Sequence, residues 1–348
     1  MRWDNLTAPP VEGDPERAAP ATPPLPLALP GAVARTFDTP EFAGMTFYEV
    51  QAKSILNRVP GQSRVPFEWT INPYRGCSHA CVYCFARNTH TYLDLDAGVD
   101  FDRKVIVKVN AGELVRRELA APRWRGAHVA MGTNVDCYQR AEGRYRLMPQ
   151  IIAALRDFAN PFSILTKGTL ILRDLPLLRE AAQVTRVGIS FSVGFVDEQL
   201  WRSVEPGTPH PRRRLDAVRA LTDAGFSVGV LMAPILPGLS DSDESIEATV
   251  SAVAAAGASS VTPLALHLRP GAREWYAHWL GREYPHLVPR YRDLYRAGSY
   301  APQAYQRELT ARVRIAARRH GLHRAEMGDN RSLPEPPPPP DAEQLTLL

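Results

Sequence analysis

From Phe67 onward, short apolar runs rich in β-branched and aromatic residues alternate with longer stretches whose apolar residues recur every three or four positions. The first pattern predicts strands over 67–71, 129–133, 162–166, 187–192, 228–234 and 261–267. The second predicts helices over 147–158, 174–182, 212–224 and 241–256. Strands separated by helices of this length build parallel βαβ units. The first crossover is longer, with a candidate extra strand at 104–109 and a helix at 113–119. Six units describe an α/β protein, either an open six-stranded β/α barrel or an open doubly wound sheet. Periodicity alone leaves both standing.

The flanks read differently. Residues 1–40 are rich in proline and alanine and read as a disordered leader. Residues 41–65 carry Phe42, Met45, Phe47 and Tyr48, and are expected to wrap onto the core before the first strand. After about residue 270 the pattern becomes helical, first with Trp275, Tyr276, Trp279, Tyr284, Tyr291 and Tyr295, then with a basic amphipathic helix at 308–320. Its Arg312, Arg314, Arg318, Arg319 and His320 fit a solvated face, or a weak electrostatic footprint for nucleic acid. A proline run at 336–340 reads as polyproline II. The expected division is a leader at 1–40, a core at 41–270, a helical extension at 271–330 and a proline-rich tail at 331–348.

Composition narrows this picture modestly. With 348 residues, 45% hydrophobic and 22% charged, the chain reads as an ordinary soluble protein able to bury a large core. A net charge of +4 permits an anionic substrate without demanding nucleic acid. No apolar run is long enough to span a bilayer, and none follows Met1-Arg2-Trp3-Asp4 as a secretion signal would require. The expected location is the cytoplasm, with no membrane partner.

Cysteine placement changes the picture most. Three of four cysteines, Cys77, Cys81 and Cys84, fall in Asn72-Pro73-Tyr74-Arg75-Gly76-Cys77-Ser78-His79-Ala80-Cys81-Val82-Tyr83-Cys84-Phe85. The spacing is C-x3-C-x2-C, and thiolates so grouped suit a soft metal or an iron–sulfur cluster. Three thiolates leave one iron of a four-iron cluster without a protein ligand, and an open metal position is what catalysis uses. Two alternatives are a zinc site completed by His79, as in a non-catalytic binding module, and inert buried thiols. No second C-x-x-C pair is present to complete a zinc ribbon.

The segment resembles the signature of the radical S-adenosylmethionine (SAM) superfamily, including the aromatic Tyr83 before the last cysteine. The words around it, Ile71-Asn72-Pro73-Tyr74-Arg75-Gly76-Cys77 and Ala80-Cys81-Val82-Tyr83-Cys84-Phe85-Ala86-Arg87, resemble the branch related to spore photoproduct lyase. The resemblance implies a partial (β/α)6 barrel and a 4Fe–4S cluster on Cys77, Cys81 and Cys84. It implies that SAM chelates the open iron and is cleaved by one electron to methionine and a 5′-deoxyadenosyl radical, which abstracts hydrogen from a substrate. It also implies an electron donor such as a flavodoxin or ferredoxin.

In a parallel β/α barrel, chemistry gathers at the carboxyl ends of the strands. Gly132, Thr133 and Asn134 lie where the superfamily has a turn that accepts the SAM amino group. Lys167 lies where the family places a lysine against the SAM carboxylate, and Ser190 where it uses a serine. Ala233 and Ile235 suit an apolar wall for adenine. His267 and Arg269 are candidates for substrate contact, and Arg75 and Arg87 for offsetting cluster charge or capping the next helix.

Cys137 is either a buried hydrophobe, a hydrogen-atom donor or a ligand. In spore photoproduct lyase the hydrogen-donating cysteine falls at the position of Gly132. The lyase's relay tyrosines fall at Tyr83, which matches, and at Phe85, which has no O–H to relay a hydrogen atom. Glu205-Pro206-Gly207-Thr208 with Arg212 and Arg214 also resembles that branch, and reads as a structural turn with an ion pair. The substrate is unidentified on these grounds; damaged DNA bases are the alternative the resemblance offers.

Overall fold

A computed structural model describes residues 29–60 and 65–322 of the chain. The tail, and the leader up to residue 28, lie outside the described residues. Six parallel strands form the main sheet: β4 (Trp69–Ile71), β7 (Val129–Met131), β8 (Phe162–Thr166), β9 (Val187–Ser192), β10 (Val228–Ile235) and β11 (Ser260–Ala265). They lie side by side in chain order, and β3 (Leu56–Arg58) adds an antiparallel edge against β4. This is the open six-stranded barrel, and the strictly sequential order removes the doubly wound alternative, whose strand order reverses.

Helices α2 (Ala111–Leu119), α4 (Leu147–Asp157), α5 (Leu175–Val184), α7 (Pro211–Asp223) and α8 (Asp243–Ala255) return the chain between these strands. Alternation sets the two faces of each strand. On β9, Ile189 and Phe191 enter the core shared with helical residues such as Leu178 and Val218. Ser190 and Ser192 therefore face the barrel interior. Glu142, wholly buried after β7, accepts the first two N–H groups of α4, from Leu147 (3.0 Å) and Met148 (3.1 Å). A carboxylate there satisfies donors that the helix itself cannot.

A second sheet departs from expectation. Its order is β1 (Val33–Arg35), β2 (Thr46–Val50), β6 (Lys104–Lys108) and β5 (Tyr74–Arg75). The candidate extra strand is thus real but belongs to another sheet, and residues 29–40, read as leader, include β1. Phe37, Phe42 and Phe47 cluster with ring centroids 5.2–5.7 Å apart, which anchors this region to the core.

The C-terminal helices divide in role. Helix α11 (Gln303–Arg319) buries Leu309, Val313, Ala316 and Ala317 in the main core beside α8 and β11. Arg312 pairs with Asp243 and Arg319 with Glu247, and His320 at the helix's C-terminal end hydrogen-bonds Glu247 (2.7 Å). Helices α9 (Ala272–Glu283) and α10 (Val288–Leu294) form a separate apolar cluster with Cys81, Val82 and Tyr83. The aromatic-rich stretch is therefore a cover for the cysteine segment. Three of its hydroxyls find partners there: Tyr276 and Tyr291 bond each other (2.9 Å), and Tyr295 donates to the Leu266 carbonyl (2.7 Å). Among the described residues, no helix is long and apolar enough to cross a membrane.

Candidate functional site

The cysteine segment leaves the main sheet after β4, passes through β5, and turns at Gly76, whose φ is +80°. A Cβ there would lie 2.7 Å from the Lys104 carbonyl oxygen and 2.9 Å from the His90 ring, so the turn requires glycine. Gln139, arriving from the end of β7, straddles Cys77. It accepts from the Ser78 N–H and donates to the Gly76 carbonyl, each at 2.9 Å. Arg87 secures the other end. It is fully buried and donates to the carbonyls of Cys81, Ala97 and Gly98 and to Asp102 of the short helix α1 (Val99–Arg103), with its guanidinium over Phe101 and Trp275. Its main work is holding backbone, although its charge also favours the Cys84 thiolate.

The strand ends meet this segment from below. Gly132, with φ +74°, follows β7, and Thr133 and Asn134 beside it stay half-exposed. A Cβ at Gly132 would overlap the Leu165 carbonyl oxygen of β8. This backbone therefore has no room for a thiol-bearing residue at Gly132, the position to which the resemblance assigns the lyase branch's hydrogen donor. Cys137 has no exposed surface, and burial, followed by the charges of Asp136 and Glu142, pushes its thiol pKa well up.

Asp136 ties three elements together. It accepts from Thr166 Oγ1 and the Lys167 N–H (both 2.6 Å) and from the Tyr138 N–H (2.9 Å), and faces His79 Nδ1 at 3.4 Å. Burial raises its pKa, yet His79 and these hydrogen bonds outweigh it and hold the carboxyl at about 2. Sequence reasoning passed over Asp136. Its place shortly past the end of β7 was the only available signal.

Lys167 extends from the end of β8 across the mouth. Its ammonium donates to Ser192 Oγ (2.8 Å) and lies 5.7 Å from the centroid of the Tyr83 ring. Ser192 in turn donates to the Ala233 carbonyl (2.8 Å), which brings β8, β9, β10 and the cysteine segment to one place. Ser190 lies one pleat deeper on the same face. Ala233 keeps partial exposure, whereas Ile235 is enclosed in the main core.

The three cysteines are free and largely buried. Burial is the main influence on each thiol and raises all three, Cys81 to about 12. Lys167 opposes this at Cys81 and Cys84, and the neighbouring thiols add to the rise at Cys77 and Cys81. A soft cation would bind these sulfurs as thiolates and supply the charge that burial alone disfavours. The donor chemistry thus fits an iron–sulfur cluster. Among the described residues, no three His, Cys, Asp or Glu side chains are already gathered as metal ligands, and His79 turns Nδ1 to Asp136 rather than to the thiols.

Two groups were underestimated from sequence. Tyr83 donates its hydroxyl to Glu205, which pairs with Arg214, so the Glu-Pro-Gly-Thr turn sits against the cysteine segment rather than apart from it. Phe85 packs against His267 (5.5 Å between centroids) and lies under Arg269, with His267 stacked on Tyr300. Beside His79 opens a cavity of about 920 Å³, lined by Phe37, Tyr138, Trp201, Arg140, Arg144 and Arg213 among others.

A partial β/α barrel with a C-x3-C-x2-C segment at its mouth defines a class, and comparison agrees. The Radical SAM superfamily description matches residues 71–250, and the chain belongs to that superfamily. It is an enzyme of this class, built for SAM cleavage and radical generation. An uncharacterized protein of Mycobacterium tuberculosis is 49% identical over 320 residues, covering 91% of this chain and 92% of the relative. One from Methanocaldococcus jannaschii is 27% identical over 195 residues, 56% of this chain and 69% of the relative. Among solved structures, spore photoproduct lyase complexed with dinucleoside spore photoproduct is similar with a TM-score of 0.59 at 14% identity, covering 80% of both chains. A tyrosine-to-phenylalanine mutant of spore photoproduct lyase gives 0.58 at 16% identity, covering 79% of both. These likenesses concern the fold.

Proposed function

We propose that Cys77, Cys81 and Cys84 hold a 4Fe–4S cluster and that SAM lies between it and the ends of β7 to β10. The observation that carries this reading is the position of Lys167. A cation fixed by Ser192 over Tyr83, close enough to pull down the Cys81 and Cys84 thiols, is where a carboxylate ligand of the cluster's open iron needs a partner. The Gly132–Asn134 turn offers acceptors to the SAM amino group, Ser190 a further hydrogen bond, and Ala233 an apolar edge for adenine, with Ile235 enclosed in the core and not part of that edge. When bound, the cluster supplies the electron that cleaves the sulfonium carbon–sulfur bond. The aromatic cover from α9 and α10 keeps water from that mouth.

Anaerobic reconstitution tests this. The wild type should gain iron and sulfide, turn brown, and form 5′-deoxyadenosine from SAM with dithionite. Cys81→Ala should do none of these. Lys167→Ala should keep its iron and raise the KM for SAM at least about tenfold, the loss of one charge-assisted hydrogen bond or more. Zinc alone in anaerobically purified protein, with no SAM cleavage, would sink the reading.

For the substrate, we favour a damaged base in a nucleic-acid strand. Support comes from the groove beside His79, where Arg140, Arg144 and Arg213 accompany the aromatic Trp201. The likeness to spore photoproduct lyase across 80% of both chains adds to it at the level of fold. The hydrogen donor would differ, because Gly132 leaves no room for a thiol and Cys137, the cysteine outside the trio, is enclosed in the core. Oligonucleotides with and without a thymine lesion should bind with a steep salt dependence and a clear preference for the lesion. Equal, weak binding of both would remove this substrate class.

A further inference from the structure

On the flank of the cysteine segment lies a buried charge pair that the SAM site does not use. Glu205 and Arg214 are each about 1% exposed. Arg214 donates to the carbonyls of Pro209 (2.8 Å) and Ser192 (3.1 Å), to Thr208 Oγ1 (2.6 Å), and to Glu205. The other carboxylate oxygen of Glu205 accepts from Tyr83. A buried ion pair is weak support for stability, since apolar residues of the same volume often do as well or better. Its retention here calls for another account.

The pair is also locked in place. The Val82 N–H donates to the Val204 carbonyl (3.0 Å), and the Gly207 N–H to the His79 carbonyl (3.1 Å). A Cβ at Gly207 would overlap the Ser78 carbonyl oxygen, so the turn approaches as closely as backbone can. Glu205 cannot swing away from the Cys81–Cys84 half of the segment. Burial pushes its carboxyl pKa up, but Arg214, Lys167 and the Tyr83 hydroxyl hold it below the usual range, so it stays ionised. Its Oε1 faces Tyr83 within the segment, whereas Arg214 holds Oε2 and otherwise donates to Pro209, Ser192 and Thr208, so the anion faces the segment with its counter-charge behind it.

We propose that Glu205 is a tuning carboxylate: a fixed negative charge, incompletely offset by Arg214, that lowers the reduction potential of the cluster on Cys81 and its companions. Adding an electron beside a fixed anion in a poorly screened interior costs more than adding it beside a neutral group. A cluster so placed would be the stronger reductant once reduced, which suits one-electron cleavage of a sulfonium carbon–sulfur bond. The inference rests on the cluster reading above.

The test is an EPR-monitored redox titration of reconstituted protein without SAM. Five chains are compared: wild type, Glu205→Gln, Arg214→Met, the double variant, and Tyr83→Phe. The glutamine keeps the shape and the acceptor for Tyr83 while removing the charge. The expected order of potentials, from lowest, is Arg214→Met, wild type, double variant, Glu205→Gln. Tyr83→Phe keeps both charges and should move the potential less than Glu205→Gln does. If a single variant does not fold or load iron, the double variant decides, because it must lie above wild type. Potentials that do not move, a double variant at or below wild type, or a Tyr83→Phe shift as large as that of Glu205→Gln would each overturn the tuning role. Failure of the wild type itself to take up a cluster would instead overturn the cluster reading, and the tuning role with it.

Discussion

Replacing Gly132 by alanine should damage this chain far more than one methyl group suggests. Two costs add. The residue sits at φ +74°, where an L side chain costs roughly 1–2 kcal/mol. The new Cβ would also overlap the Leu165 carbonyl oxygen and lie 2.9 Å from its carbon, both rigid backbone of the neighbouring strand. Relieving that overlap means parting β7 from β8 near the Met131–Ile164 pairing, and forced overpacking of this kind costs about 1–3 kcal/mol. The sum is about 2–5 kcal/mol. Gly126 supplies an internal control, because its φ is +70° and an added Cβ would meet nothing within 4 Å. Gly126→Ala should therefore lose only the conformational part, about 1–2 kcal/mol. Thermal melts of the apo proteins compare them directly. In a chain this size each kcal/mol shifts Tm by about 2 °C, so the two variants should separate by several degrees. Equal Tm values would refute the steric argument. The claim that this strand end cannot house a thiol would go with it.

Two further outcomes follow from buried polar groups. Arg87→Lys should cost about 3 kcal/mol or more, because a single ammonium cannot serve Cys81, Ala97, Gly98 and Asp102 together. A Tm within a degree or two of wild type would show the clamp to be dispensable. His90 is buried and its pKa falls from 6.5 to about 4, burial being the main cause, while Nε2 sits 2.8 Å from the Lys104 carbonyl. Above pH 6.5 the ring is neutral in both folded and unfolded chains; below it the unfolded chain alone takes a proton until about pH 4. Stability is therefore lost as the pH falls through that window, by about 2 kcal/mol at about pH 5. Urea midpoints at about pH 7.5 and 5 should show a smaller acid loss in His90→Gln than in wild type; an equal loss would refute the assignment.

The barrel was readable because its strands are apolar on both faces or alternate cleanly, so β8 and β9 fall on the residues that periodicity marks. Helices α4 and α7 end within a residue or so of their expected limits for the same reason. The second sheet was not readable. Thr46–Val50 and Val33–Arg35 are short, and only the pairing of β2 with β6 makes a sheet of them, a contact between residues as distant in the chain as Thr46 and Lys104. Helices α3 (Ala141–Tyr145) and α6 (Glu198–Val204) were missed because one or two turns carry too little period to detect. At the site, cysteine spacing and strand-end position pointed to the mouth itself. They did not reveal that Asp136, Gln139 and Glu205 hold it, since those roles depend on which loops meet. The basic helix was legible as a charged face, but its partners Asp243 and Glu247 appear only when α8 lies alongside.

The cysteine segment is closed at its root by β5 and β6, whose short antiparallel pairing joins Tyr74 to Val107 and Arg75 to Ile106. Strand β6 is in turn held by β2, and β2 by β1, so residues far upstream act as a splint for the cysteine-bearing excursion. The span by which the family is recognised, 71–250, is therefore smaller than the unit that folds. A fragment cut at its limits would expose β6 on its outer edge and remove α11 from the core, and expression boundaries should be drawn outside both.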